Sequence, residues 1–169
     1  MRALRRDRPD LAVGPGERLL AWCHDIDGRT LGGTRDALYL PSSLVEPVET
    51  RIPWEQVESA DWDADASLLT VKEVGTWGVV RPVHRLALDE PGRLLQLVRE
   101  RVTATVVLQR HVSIQGHQGV RVIARRAPSG DRALTWVYEY DEGVDPTDPA
   151  VRAAAEEALA GAQDEVGTS

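Results

Sequence analysis

Apolar and polar residues alternate along the first half of the chain in short runs, each stopped by a turn residue, and this period of two predicts strands. The first run, residues 17–26, ends at Asp27-Gly28, a two-residue hairpin signal because both turn positions need positive φ. That turn sets Ile26 opposite Arg29, His24 opposite Leu31 and Trp22 opposite Gly33, where the small glycine leaves room for the indole. A third strand follows at 37–40, stopped by Pro41. Residues 41–50, with two prolines, read as a loop or small insertion. A fourth strand at 51–54 contains Pro53, which suggests a sheet edge. The fifth lies at 57–63. The sixth, 68–74, puts Leu69 and Val71 on one face, and the seventh lies at 83–88.

The period then changes from two to between three and four. Asp89 is placed as an N-cap with Pro91 just inside the helix, and Leu94, Leu95, Val98, Val102 and Val106 recur on one stripe. Residues 103–107 are β-branched enough either to continue that helix or to begin a strand. Runs at 120–126 and 134–140 flank Pro128-Ser129-Gly130-Asp131 as a hairpin, with Arg121 opposite Glu139. Asp148-Pro149 opens a last helix whose stripe is Val151, Ala154, Ala155, Ala158, Leu159 and Ala162. Three parts follow: a flexible N-terminal arm at 1–15, a domain at 16–110, and a hairpin-plus-helix extension at 111–169 packed on that domain.

Composition sharpens this picture in a few places. The chain has five tryptophans and no phenylalanine, so Trp22, Trp54, Trp62, Trp77 and Trp136 supply much of the bulk. Lys72 is the sole lysine against nineteen arginines, a ratio that a GC-rich coding bias explains more simply than function does. The net charge of −7 is uneven: residues 131–169 carry −8 and residues 1–130 about +1. That balance, with no recognition helix, argues against nucleic acid as a partner. Cys23 alone cannot form an intrachain disulfide, which fits a reducing compartment. The N-terminus carries Arg2, Arg5, Arg6 and Arg8 without the apolar stretch of a signal peptide, and no run of 18 apolar residues occurs. A cytoplasmic location is expected.

Three local stretches stand out within the seven strands and closing helix: Gly16-Glu17-Arg18-Leu19-Leu20, Thr34-Arg35-Asp36-Ala37-Leu38-Tyr39-Leu40, and Arg51-Ile52-Pro53-Trp54-Glu55-Gln56-Val57. With that element order, they make residues 16–105 resemble the bacterial members of the pleckstrin-homology-like superfamily. The whole chain is also similar to small uncharacterised conserved proteins of GC-rich bacteria. The resemblance implies an α+β protein: a seven-stranded antiparallel barrel or sandwich closed by a helix, with the C-terminal hairpin and helix added. It implies a binding or scaffolding role, by analogy of fold. Lipid-binding members carry a basic loop between the first two strands, whereas this chain has Asp25-Ile26-Asp27-Gly28-Arg29 there.

Each candidate for chemistry has a plainer alternative. Asp61-Trp62-Asp63-Ala64-Asp65 resembles the start of a calcium loop, but Ala66 stands where the loop needs glycine and Lys72 where it needs glutamate. His111 and His117 are six apart, not the four that align two imidazoles on a helix. Cys23 and His24 are neighbours on a strand and point to opposite faces, so one does not activate the other. Gly32-Gly33 precedes a strand, not the helix N-terminus that cradles phosphate. Arg110, Arg121, Arg125 and Arg126 are expected to pair with acids such as Glu139 and Asp141. No cofactor and no metal site are therefore expected. The reading is a non-enzymatic cytosolic adaptor contacting another protein, with Trp54 and Trp77 as exposed anchors. Two alternatives stand: anionic-lipid binding through the Arg-rich arm, and an enzyme whose site gathers His84, Asp61 and Glu55.

Overall fold

The computed structural model describes residues 9, 11–42, 49–75, 80–130 and 133–167. The chain divides between Thr103 and Ala104 into two units.

The first unit opens with a four-stranded antiparallel meander of β1 (Ala21–His24), β2 (Thr30–Gly33), β3 (Ala37–Leu40) and β4 (Thr50–Pro53), adjacent in chain order. A 3₁₀ turn at Trp54–Gln56 leads into a second antiparallel sheet of β5 (Val57–Asp63), β6 (Leu68–Glu73) and β7 (Val83–Ala87). Helix α1 (Gly92–Thr105) follows and runs past the division. The fold class is α+β, with the strands shared between open sheets. Among the described residues no ladder joins β4 to β5, while an isolated bridge, Asp25 to Leu88, ties the end of the first hairpin to the end of β7.

The break after β4 has a local cause. Pro53 has no N–H to continue a ladder, and the chain turns there so that Trp54 points inward. Trp54 is fully buried, and its indole N–H donates to the Thr34 carbonyl at 3.0 Å. Around it the core gathers Leu31, Leu38 and Ile52 from the first sheet, Val57, Leu69 and Val71 from the second, and Leu94, Leu97 and Val98 from α1. A Cβ on Gly33 would lie 2.7 Å from Leu97 and 3.3 Å from Trp54. This glycine therefore makes room for the helix and Trp54, not for Trp22.

The first hairpin sits one residue off the expected register. Trp22 faces Gly32, Cys23 faces Leu31 and His24 faces Thr30. Only Gly28 in the turn has positive φ, at 78°, and its amide bonds the Asp25 carbonyl at 3.0 Å. The loop therefore has three residues, Ile26 to Gly28, with a bulge at the glycine, in place of a two-residue turn. Asp25 selects this wider loop: its carboxylate accepts the amides of Asp27 and Arg29 and the Arg29 side chain.

Asp89 does not cap α1. Its amide bonds the His24 carbonyl at 3.3 Å, continuing the bridge from β7, and the helix begins three residues later. Residues 11–15, expected within the arm, lie against the first sheet. The Gly14 amide donates to the Tyr39 hydroxyl at 2.8 Å, and a Cβ on Gly32 would meet Leu11 at 2.6 Å.

The second unit is a three-stranded antiparallel sheet in the order β10 (Leu134–Tyr140), β9 (Gln118–Arg126), β8 (Val106–Gln115), with helix α2 (Pro149–Val166). The hairpin register is the expected one, Arg121 opposite Glu139. Strand β8 was not expected at this length; its apolar alternation is interrupted by Gln109, Arg110 and His111. Asp148 caps α2 by accepting the Ala150 amide at 2.8 Å, and Gly167 closes it with φ of 72°. The helix buries Val151, Ala155, Ala158 and Ala162, and its alanines pack with Val122 of β9. Among the described residues no helix is long and apolar enough to cross a membrane.

Candidate functional site

Trp54 is not a surface anchor. Expected to be exposed on an edge strand, it is the largest fully buried side chain of the first unit. The strand preceding it is at an edge, but the 3₁₀ turn rotates the indole into the core. Trp77, the other expected anchor, lies outside the described residues.

The most concentrated polar cluster surrounds Glu17. Its side chain is 6% exposed and accepts from Thr34 Oγ1 at 2.8 Å, from Arg51 Nε and Nη2 at 3.1 Å each, and from the Tyr39 hydroxyl. Burial would raise the carboxyl's pKa, but the hydrogen bonds from Arg51, Tyr39 and Thr34 outweigh it and hold the pKa at about 2. The same contacts, led by the bond to Glu17, raise Arg51, and burial together with Glu17 raises the Tyr39 phenol. Every oxygen of this carboxylate is engaged from within, so the cluster joins the 14–17 segment to β3 and β4 as a structural clasp.

A solvent-open concavity lies at the first hairpin. An open pocket of about 440 Å³ is lined by His24, Asp25, Ile26, Gly28 and Asp89. Its frame is rigid. Asp25 is 4% exposed and bonded to Arg29 Nε at 2.7 Å. The Ile26 amide donates to the Ala87 carbonyl at 3.0 Å, and His24 Nδ1 lies 3.2 Å from Thr30 Oγ1. Against that frame the Ile26 side chain is 69% exposed. The side chain of Asp27 is 67% exposed beside it, and Asp89 is exposed on the rim. The available signal in the sequence was an aliphatic residue at a turn tip between two aspartates, a place where apolar residues are uncommon.

Of the remaining candidates, His84 Nε2 is 2.7 Å from Glu73 and Asp61 takes the Ser59 hydroxyl at 3.3 Å. Glu55 stands on the 3₁₀ turn with its Oε2 buried and no hydrogen bond to it among the described residues. Asp61 lies opposite Thr70 and His84 opposite Val71 on β6, so these two side chains are on different faces of that sheet. Asp63 accepts the amides of Asp65 and Ala66, shaping its own turn. Among the described residues no three His, Cys, Asp or Glu side chains are grouped to hold a metal ion. Burial, aided by Asp25, pushes the Cys23 thiol up to about 11, which keeps it an unreactive core residue. In the second unit Arg121 pairs with Glu139 at 3.3 Å and Arg110 with Glu165 at 3.1 Å. Asp141 is taken by His111 at 2.7 Å and by the Gly119 amide, and these bonds, His111 first, lower its pKa.

No known protein-family model matches the chain, and no curated protein matches it as a relative.

Proposed function

We propose that the chain is a non-enzymatic, cytosolic binding module that contacts another protein through the first hairpin, and that its first unit is a pleckstrin-homology-like domain. The division of seven strands into four and three, the helix after the seventh, and the Asp25–Leu88 bridge all support the fold reading. The single observation carrying the functional reading is Ile26, a large aliphatic side chain 69% exposed on a turn whose backbone is fully braced. A rigid exposed aliphatic loses little conformational freedom when covered, which favours binding. The surrounding charge selects the occupant. Asp25, Asp27 and Asp89 outnumber Arg29, so the fitting partner segment presents a cation beside an apolar side chain. The same carboxylates repel anionic headgroups and nucleic-acid phosphate at this surface.

The test places a photo-crosslinking residue at Ile26 in the producing cells, with the exposed Val107 as the control position. A protein crosslinked through a basic segment at position 26, and lost in Asp89→Arg, supports the reading. Equal capture at both positions, or capture indifferent to Asp89→Arg, overturns it.

A further inference from the structure

The carboxylates around Ile26 share their pocket with a ring that can change charge. His24 lines it with Asp25, Ile26, Gly28 and Asp89. Two contacts fix this exposed residue on the hairpin frame. Its ring Nδ1 lies 3.2 Å from the Thr30 hydroxyl, and its carbonyl accepts the Asp89 amide at 3.3 Å.

The contact with Thr30 sets His24 apart from His84 and His111. Those two rings each lie 2.7 Å from a carboxylate, Glu73 and Asp141 respectively. A carboxylate binds the protonated ring better than the neutral one. A hydroxyl has no such preference, because it donates to a bare ring nitrogen and accepts from a protonated one. His24 can therefore gain or lose its proton without leaving its place.

The charges around the pocket make that proton matter. Asp25 and Asp27 come from the hairpin, and Asp89 from the connection after β7. Facing them is Arg29, held by Asp25 at 2.7 Å and by Asp27 at 3.2 Å. Three carboxylates against one guanidinium leave an excess of negative charge, and a proton on His24 halves it. Histidine side chains change charge between about pH 5 and 8, where aspartate and arginine keep theirs.

We infer that His24 is a proton-operated gate on the first hairpin: the neutral ring leaves the carboxylates to a basic partner segment, and the protonated ring competes with that segment for them. This inference rests on the hairpin reading proposed above and adds its regulation. Occupation of the hairpin is strongest above the titration of this ring and falls as pH drops through it.

The experiment uses N-acetyl-leucyl-arginine amide, a cation beside an apolar side chain, as the probe. It is titrated into the full chain while the amide signals of Ile26 and Asp89 are followed by NMR. Affinity is expected to be about fivefold higher at about pH 8 than at about pH 5.5, a difference that shrinks with added salt. His24→Gln keeps a hydrogen-bonding side chain without the change of charge, and should hold the high affinity at both pH values. His24→Arg should hold the low affinity at both. A parent affinity that does not change with pH overturns the inference, as does a pH dependence that survives in His24→Gln. If binding in either case is still lost in Asp89→Arg, the hairpin reading stands without the gate. A probe that binds at neither pH also overturns the gate, and capture at position 26 in cells then decides the hairpin reading separately. Circular dichroism of each variant separates a changed site from a changed fold.

Discussion

The two units bury apolar surface in opposite styles. In the first, Trp54, Leu31, Leu38, Ile52, Leu69 and Leu94 are almost entirely removed from water between two sheets and a helix. In the second, the corresponding cluster has Val122, Ala158 and Ala162 at its centre, while Leu108, Val112, Trp136, Tyr138 and Leu159 stay half-buried around it. Alanines let α2 approach its sheet closely, but they cannot reach the rim, so the aromatic rings of β10 keep part of their surface in water. The polar groups differ in the same way. Glu17 is a buried carboxylate held by four hydrogen bonds from Thr34, Tyr39 and Arg51, whereas Arg121 and Glu139 meet with 33% and 45% of their side chains exposed. Burial on this scale is worth roughly 25 cal/mol per Å² of apolar area. The first unit therefore draws its stability from enclosure, while the second leaves the aromatic and aliphatic rim of its cluster half-buried.

The sharpest way to break this comparison is at Trp54. Replacing Trp54 with Ala removes a fully buried indole and leaves the Thr34 carbonyl without its donor, and should cost about 4 kcal/mol. Urea unfolding followed by circular dichroism reads the loss. A variant within about 1 kcal/mol of the parent would show that the indole is not enclosed.

Glu17→Gln is the next effect in size, about 2 kcal/mol near neutral pH, because it uncouples Arg51 and weakens the clasp on Gly14. Its pH dependence has a definite sign. The carboxyl is lowered on folding from 4.5 to about 2, so the unfolded chain binds the proton more readily between those values. The stabilisation is complete above about pH 4.5 and is lost as pH falls toward 2. The difference in urea midpoint between parent and Glu17→Gln should therefore shrink on acidification across that window. A constant difference would remove the carboxylate from the account.

The smallest effect belongs to the second unit. A double-mutant cycle on Arg121 and Glu139, each changed to Ala, should give a coupling of about 0.5 kcal/mol or less that fades with added salt. A coupling as large as the Glu17 effect would erase the distinction between enclosed and exposed polar pairs drawn above.

Local pattern made much of the fold legible. Strands β3 and β5 fall where alternation and turn residues placed them, and the β9–β10 register follows from matching the apolar faces of the two strands, which sets Arg121 opposite Glu139. The misses share a cause, in that each depended on a contact distant from the local pattern or competing with it. Asp27-Gly28 looked like a two-residue turn until the Asp25 carboxylate drew in two amides and Arg29, shifting the hairpin by one. Strand β8 was hidden by Arg110, whose place on the helix-facing side makes sense only with Glu165 of α2 beside it. Asp89 looked like a helix cap because its bond to His24 spans 65 positions of sequence. The candidate site was the least legible part: Ile26 could be seen at the turn tip, but its exposure and its nearness to Asp89 could not.

Apart from β8, the sequence by itself determined the element types and their order, because periods of two and of between three and four are set by the backbone and repeated locally. It determined the α2 cap at Asp148 and the acidic character of the Asp25-Ile26-Asp27 hairpin loop, because both are local features of the chain. Only the tertiary structure decided that Trp54 faces inward, that Glu17 lies with Arg51 and Tyr39, and that Ile26 stands exposed beside Asp89. Those outcomes depend on which elements meet across a core or at a sheet edge, and periodicity carries no information about that choice.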